Sequence, residues 1–292
     1  MSVGKRIIRV FPRKTRLTPD DPLAVVGGRP NMLTEADEVH ISVIFTWDLP
    51  EAERLAKVWS VVAPVKIGGP ATGQRGEVFV PGMYVRHGVV ITSRGCPNKC
   101  WFCSVWRREG GLRELPICGG WDVQDDNLLA CSEKHIRGVF VMLARQNRPI
   151  DFSGGMEADR LQEWHCVELS KLPLRSVYFA YDAPDDLEPL RHAGKMLRET
   201  EILTKVSMTC RCFVLVGFPK DTYAAAERRV WETMRAGFVP FIMCFRDKAG
   251  IIDEGWRSFG KRWKTTIGIK RGLCVEARKS LWDRKKQTRP IL

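Results

Sequence analysis

Three cysteines fall within eight consecutive residues of this 292-residue chain, in the run Arg94-Gly95-Cys96-Pro97-Asn98-Lys99-Cys100-Trp101-Phe102-Cys103. Cysteine thiolates are soft ligands and the usual anchors of iron–sulfur clusters. A C-x3-C-x2-C loop can aim three sulfurs at one cluster, and Gly95 and Pro97 favour the tight turns that this requires. Three protein ligands leave the fourth iron of a [4Fe–4S] cluster open to a small molecule. The competing metal is zinc, which takes four ligands in structural sites, often as two C-x2-C pairs. Only one tight trio is present here, and Cys118 is the only nearby cysteine for a fourth position.

The spacing, with an aromatic residue just before the last cysteine, resembles the signature of the radical S-adenosylmethionine (SAM) superfamily. The resemblance implies a [4Fe–4S] cluster on Cys96, Cys100 and Cys103, with SAM chelated to the open iron. It also implies reductive cleavage of SAM to a 5′-deoxyadenosyl radical, with the electron supplied by a flavodoxin- or ferredoxin-like protein. Phe102 stands where the family places a residue near the SAM adenine.

Weaker likenesses lie downstream. Ser153-Gly154-Gly155-Met156-Glu157 loosely resembles the glycine-glycine-acid motif that holds the SAM amino group, with Met156 displacing the acid by one position. Glycines let a ligand approach the backbone closely, and a carboxylate suits an ammonium; a plain strand-to-helix turn reads equally well. Asp125-Asp126-Asn127 is similar to a motif of the methylthiotransferase-like and cobalamin-dependent branches, which makes Asp125 a candidate cofactor or substrate contact. The same residues also read as an acidic helix cap. Asp182, after Tyr178-Phe179-Ala180-Tyr181, is similarly placed. The cobalamin motif Asp-x-His-x-x-Gly is absent, so cobalamin is not expected. Small phage-type iron–sulfur oxidoreductases offer a comparable overall look.

These residues need elements to position them. Short apolar runs at 89–92, 121–124, 149–152, 175–181, 210–216 and 238–244 read as strands, separated by helical stretches at 132–145, 159–170, 187–200 and 223–236. Such alternation predicts a parallel sheet with its chemistry at the C-terminal strand ends. The fold class expected is α/β: a partial (β/α)6 TIM-like barrel over 85–246. It is preceded by an N-terminal extension with a small βαβ unit over 1–84 and followed by a basic C-terminal extension over 247–292. Within the first segment, Pro and Gly make 1–38 read as loop-like, with a strand at 39–45, a helix at 50–60 and a strand at 62–67.

Composition narrows the function classes. Hydrophobic residues are 44% and charged residues 28% of the chain, as in ordinary soluble domains. No run of 18 apolar residues and no secretory leader is evident, so a cytoplasmic protein without membrane spans is expected. The ten cysteines then read as metal ligands or small buried hydrophobes rather than disulfides; Cys210 and Cys212, alternating on a strand, should share one face. The net charge of +13 is concentrated at the ends: the first sixteen residues carry six Lys/Arg and no acid, and 246–292 carries fourteen Lys/Arg against five acids. Basic ends point either to a polyanion such as nucleic acid or to solubility alone. The segment from Trp256 to Lys264 interleaves bases and aromatics, which fits stacking on unpaired bases or packing of the aromatics onto the sheet.

A radical SAM enzyme acting on a nucleic acid or nucleotide is the leading expectation. The alternatives are a radical SAM enzyme modifying a peptide or small molecule, and a non-catalytic metal-containing nucleic-acid-binding protein. The substrate and the oligomeric state are not legible in the sequence.

Overall fold

The structure, a computed structural model, describes residues 5–76, 78–203 and 209–264. Two parallel sheets organise the chain. The first has the order β2-β1-β3-β4, from β1 (Ile7–Phe11), β2 (Ala24–Val26), β3 (Glu38–Ser42) and β4 (Val65–Gly68). The helix α1 (Leu49–Trp59) crosses from β3 to β4 and buries Ala52, Leu55 and Trp59 against Val10, Val39 and Ile41. The βαβ unit is therefore present, within a larger sheet than the sequence predicts. The stretch 1–38 was expected to be loop-like, yet Ile7–Phe11 is a central strand buried at four of five positions. The prolines that argued against it, Pro12, Pro19 and Pro22, all fall between β1 and β2, where they cost no ladder bond.

The second sheet has six strands in the order β12-β11-β10-β9-β8-β5. These are β5 (Val89–Val90), β8 (Asp122–Val123), β9 (Ile150–Phe152), β10 (Leu174–Ala180), β11 (Cys210–Val216) and β12 (Val239–Cys244). Every neighbouring pair is parallel. Successive strands of this sheet are neighbours in space, so the strand order never reverses; β5 and β12 form its two edges and do not pair, and the sheet is open. Between β5 and β8 lies a two-stranded antiparallel ribbon, β6 (Ser93–Arg94) with β7 (Arg113–Glu114), which encloses the cysteine loop and the short helix α2 (Val105–Arg108).

Helices cover one face of this sheet. α3 (Glu133–Ala144), α4 (Glu163–Ser170) and α5 (Leu187–Glu199) pack Ile136, Phe140, Cys166, Leu169, Leu190 and Leu197 onto Val123, Phe152, Val177, Phe179, Cys210 and Cys212. α6 (Tyr223–Ala236) and α7 (Glu254–Lys264) pack Val230, Phe259 and Trp263 onto Val214, Val216 and Ile242. Cys210 and Cys212 share the helix-covered face, as their alternation predicts. Phe259 and Trp263 are core residues, which removes them as stacking platforms for bases. The rest of the basic C-terminal segment, including Cys274 and the Arg284-Lys285-Lys286 run, lies outside the described residues. Among the described residues, no helix is long and apolar enough to cross a membrane.

The alternate strand residues point away from the helices and are polar or aromatic: Asp122, Asp151, Tyr178, Arg211, Phe213 and Phe241. The N-terminal sheet reaches this six-stranded sheet from two sides. Arg16 and Arg86 donate to Asp122 Oδ2 at 2.9 and 2.7 Å. Trp47, stacked on Phe45, is faced by Arg246 at 5.4 Å, in the loop beyond β12.

Candidate functional site

Because the six strands are parallel, their C-terminal ends share one edge, and the loops there carry the residues singled out by type. Cys96, Cys100 and Cys103 follow β5 and β6; Asp125, Asp126 and Asn127 follow β8; Gly154, Gly155 and Glu157 follow β9; Asp182 follows β10.

The cysteine loop is pinned from below. Thr92 donates to Asp125 from its backbone N–H at 2.6 Å and from its hydroxyl at 2.5 Å, and the Ser93 hydroxyl adds a bond at 2.9 Å. Asp125 is 2% exposed, and its carboxylate holds the loop through these bonds. Burial pushes its pKa up, against those three hydrogen bonds. Asp126 accepts from the Gly95 N–H at 2.8 Å. Gly95 has φ +86°, and a Cβ there would lie 2.4 Å from the Gly111 carbonyl oxygen; only glycine takes the chain into Cys96 along this path.

The loop is also pinned at its base. Glu109 is buried and is approached by Arg94 at 3.7 Å, Arg108 at 3.0 Å and Arg113 at 3.0 Å, and it accepts from the Gly76 N–H at 3.0 Å. Burial alone would raise the Glu109 carboxyl; the bonds from Arg108 and Gly76 and the Arg94 charge outweigh it and hold the group below its ordinary range.

All three thiols are free. Cys103 N–H donates to the Cys100 carbonyl at 3.1 Å, which turns the loop back on itself. Burial, then the charges of Cys103, Cys96 and Asp182, push the Cys100 thiol up; Cys103 is raised by burial and then by Cys96 and Asp126. The groups are thus within electrostatic reach of one another. Among the described residues, no three His, Cys, Asp or Glu side chains stand in the arrangement of a formed metal site. Cys118, the only candidate for a fourth thiol, instead bonds the Pro116 carbonyl at 3.8 Å.

Asn127 connects the loop to the next strand end. Its Nδ2 donates to Cys96 Sγ at 3.4 Å and to Glu157 Oε2 at 2.7 Å, while its Oδ1 is buried without a partner. Glu157 also accepts from Arg160 at 2.6 Å. Burial raises its carboxyl, and the bonds from Asn127, Asn98 and Arg160 more than offset that. Gly154 is exposed, yet a Cβ there would meet the Asp125 carbonyl oxygen at 2.2 Å; Gly155 has φ +99° and lies beside the Phe213 ring. Glycine is required at both positions by the backbone itself.

Above the edge, aromatic rings span the sheet. Trp101 packs edge-on to Phe102 at 5.4 Å and reaches Phe218 at 5.6 Å and Phe245 at 6.1 Å, in the loops after β11 and β12. A loop that follows the first strand therefore touches loops that follow the last two. Asp182 accepts from the Leu215 N–H at 3.1 Å, and burial, opposed by that bond, raises its pKa to about 6.

No protein-family model matches the chain, and no curated protein matches it. Sequence reasoning singled out Asp125 from the Asp-Asp-Asn run, whereas Asn127 is the member that touches a cysteine. It did not mark Glu109, Arg160 or the Trp101–Phe218–Phe245 contact; the crowding of Arg94, Arg108 and Arg113 around one acid was the available signal for Glu109.

Proposed function

We propose that the chain is a radical SAM enzyme whose cluster ligands are Cys96, Cys100 and Cys103. One observation carries the reading: three free thiols share a single loop at the C-terminal edge of a parallel sheet, and Asn127 ties that loop to the Glu157 carboxylate. The donor set fits an iron–sulfur cluster. It is all thiol; burial and then the neighbouring cysteines raise Cys100, burial and then Cys96 raise Cys103, and a cationic centre among them would reverse that penalty. Asn127 Oδ1 and Glu157 are acceptors beside Cys96, and an ammonium brings three donors; this suits the amino end of SAM.

In this reading the six-stranded sheet is a partial (β/α)6 barrel. Its helix-free face is the interior, and the loops bearing the cysteines, Glu157 and Asp182 form its mouth. Cys96, Cys100 and Cys103 would hold a [4Fe–4S] cluster there, which, with a flavodoxin- or ferredoxin-like protein as reductant, would supply the electron for reductive cleavage of SAM. The protein's own part is positioning. Asp125, Asp126 and Glu109 fix the loop. Gly154 and Gly155 keep the backbone clear of side chains near the ligand. Phe102 offers an apolar ring to the adenine. Trp101, packed across to Phe218 and Phe245, shields the mouth from water. The substrate lies on the helix-free face below, and the basic ends favour a nucleic acid or nucleotide.

The deciding experiment is anaerobic reconstitution with iron and sulfide, followed by reduction, addition of SAM and quantification of 5′-deoxyadenosine. The expected result is a [4Fe–4S] spectrum and SAM cleavage, both lost in the Cys96→Ala/Cys100→Ala/Cys103→Ala variant. Bound zinc with no acid-labile sulfide would overturn the reading and favour a non-catalytic metal protein.

A further inference from the structure

The helix-free face holds a cavity of about 320 Å3, lined by Arg16, Asp151, Ser153, Arg175, Ser176, Tyr178, Arg211, Phe213 and Phe241. That volume is in the range of small-molecule pockets. Its lining is unusual for the inside of a sheet protein, which is ordinarily filled by branched apolar side chains. Two kinds of group dominate here, aromatic rings and guanidiniums, and they meet where Arg211 lies over the Tyr178 ring at 5.5 Å.

One wall is aromatic. Tyr178 and Phe213, on adjacent strands, stack with centroids 4.7 Å apart and planes 19° from parallel. Phe241, on the next strand, meets both edge-on at 5.7 and 5.5 Å and is 37% exposed. A large apolar ring left in solvent inside a cavity costs free energy unless something covers it. The other wall is cationic. Arg16, Arg175 and Arg211 line the cavity against one carboxylate, Asp151. Arg175 forks onto Asp151, Arg16 bonds Asp122 behind the wall at 2.9 Å, and Arg211 donates to the Tyr178 hydroxyl at 2.7 Å. Among the described residues, Arg16 and Arg86 pair with Asp122 and Arg175 with Asp151, so three guanidiniums meet two carboxylates, and Arg211 lines the same cavity.

We propose that this cavity binds a nucleoside phosphate, with the base against the Tyr178–Phe213–Phe241 wall and the phosphate at the Arg16, Arg175 and Arg211 side. A planar π-system stacks on aromatic rings irrespective of its sequence identity. A dianion with three acceptor oxygens matches several guanidinium forks better than a single carboxylate would. Asp151, Ser153 and Ser176 also line the cavity; the Ser153 hydroxyl donates to Asp122 at 2.9 Å and the Ser176 hydroxyl to Asp151. Gly155, at the edge above, lies 3.9 Å from the Phe213 ring by its ideal Cβ position. The aromatic wall therefore runs up to the strand end assigned to SAM. The inference rests on the proposed radical SAM reading for its link to catalysis, but not for the binding itself.

The test uses the full chain without a cluster, so that binding does not depend on SAM chemistry. Adenosine, guanosine, cytidine and uridine 5′-monophosphates, the four nucleosides, inorganic phosphate and a single-stranded 12-mer are titrated calorimetrically. At least one monophosphate should bind saturably, and its nucleoside about tenfold or more weakly, as loss of a charge-assisted contact implies. Arg211→Gln should weaken the monophosphate and leave the nucleoside unchanged. Phe241→Ala, at a partly exposed ring that folding does not need, should weaken both. A 12-mer that outcompetes the monomers identifies the ligand as one residue of a strand; equal or weaker binding identifies a free nucleotide. Absence of saturable binding by every nucleotide and by the 12-mer, or binding unchanged by both folded variants, overturns the proposal. If binding survives in a protein that never cleaves SAM, the enzyme reading fails and the site stands.

Discussion

Asn127 places its amide nitrogen 3.4 Å from the Cys96 sulfur, and the same nitrogen lies 2.7 Å from Glu157. A donor to a ligating thiolate lowers the charge on sulfur and fixes its direction. Groups of this kind commonly change metal affinity or activity by about 10–100-fold when removed. Asn127→Ala is expected to reduce 5′-deoxyadenosine formation by about that factor, while iron and sulfide content after reconstitution stay near those of the parent. Unchanged turnover would show that the bond does not matter to the bound state.

Glu109 is the acid on which Arg94, Arg108 and Arg113 converge. Removing its charge leaves three guanidiniums facing one another at the base of the cysteine loop. Glu109→Gln should cost about 2–3 kcal/mol of stability, read as a lowered urea midpoint. The pH dependence follows from the lowered carboxyl. The unfolded chain takes up its proton first, near the ordinary value of 4.5, so the stabilisation is complete above that pH. It is lost as pH falls through the lower folded value. The parent and Glu109→Gln stabilities should therefore converge in acid and stay apart at pH 7.

Asp182 has the opposite sign. Burial raises its folded pKa from 3.8 to about 6. In the cluster-free protein, both states hold the proton below pH 3.8, the folded state loses ground as pH rises from there to about 6, and the difference is constant above that. Asp182→Asn keeps an acceptor for the Leu215 N–H and removes the charge. It should raise the melting temperature at pH 7.5 by a few degrees, corresponding to no more than about 2 kcal/mol, and change it little at pH 4. On the proposed reading, which places Asp182 at the mouth of the site, the same variant should lose SAM cleavage or coupling to substrate.

Trp101 is 57% exposed although it bridges three loops. Its replacement by Ala should change folding stability by less than about 1 kcal/mol, as at other exposed positions. Its effect belongs to the mouth of the site. The reconstituted variant should bleach faster in air, followed at the charge-transfer absorbance of the cluster. Identical bleaching rates would show that the tryptophan does not shield the loop.

How much of this was legible in the sequence varies with the range of the interactions involved. β11 (Cys210–Val216) and α6 (Tyr223–Ala236) have the bounds their patterns predict, because alternation and a helix with Gly237 as its stop are local signals. The cysteine loop was legible for the same reason. Ile7–Phe11 was hidden by surrounding prolines, although its own five residues are apolar enough for a buried strand. The aromatic wall was out of reach. Alternation shows that Arg211 and Phe213 share a face, but the register Ala180↔Phe213↔Phe241 comes only from strand pairing across about thirty residues of intervening chain. Nor does any local signal say which face the helices leave bare. Asn127 was visible as one of three polar residues, and only the direction of its amide distinguishes it from Asp125.

Asp122 is fully buried in the second sheet, and the two cations that neutralise it, Arg16 and Arg86, come from the segments ahead of it. The acid and one of its two countercharges, Arg16, belong to different lobes. Excising residues 85–246 as an independent module would remove Arg16 and leave that carboxylate short of a cation in a dry setting. Part of the charge balance around Asp122 is thus inherited from sequence that a cut at the lobe boundary would discard.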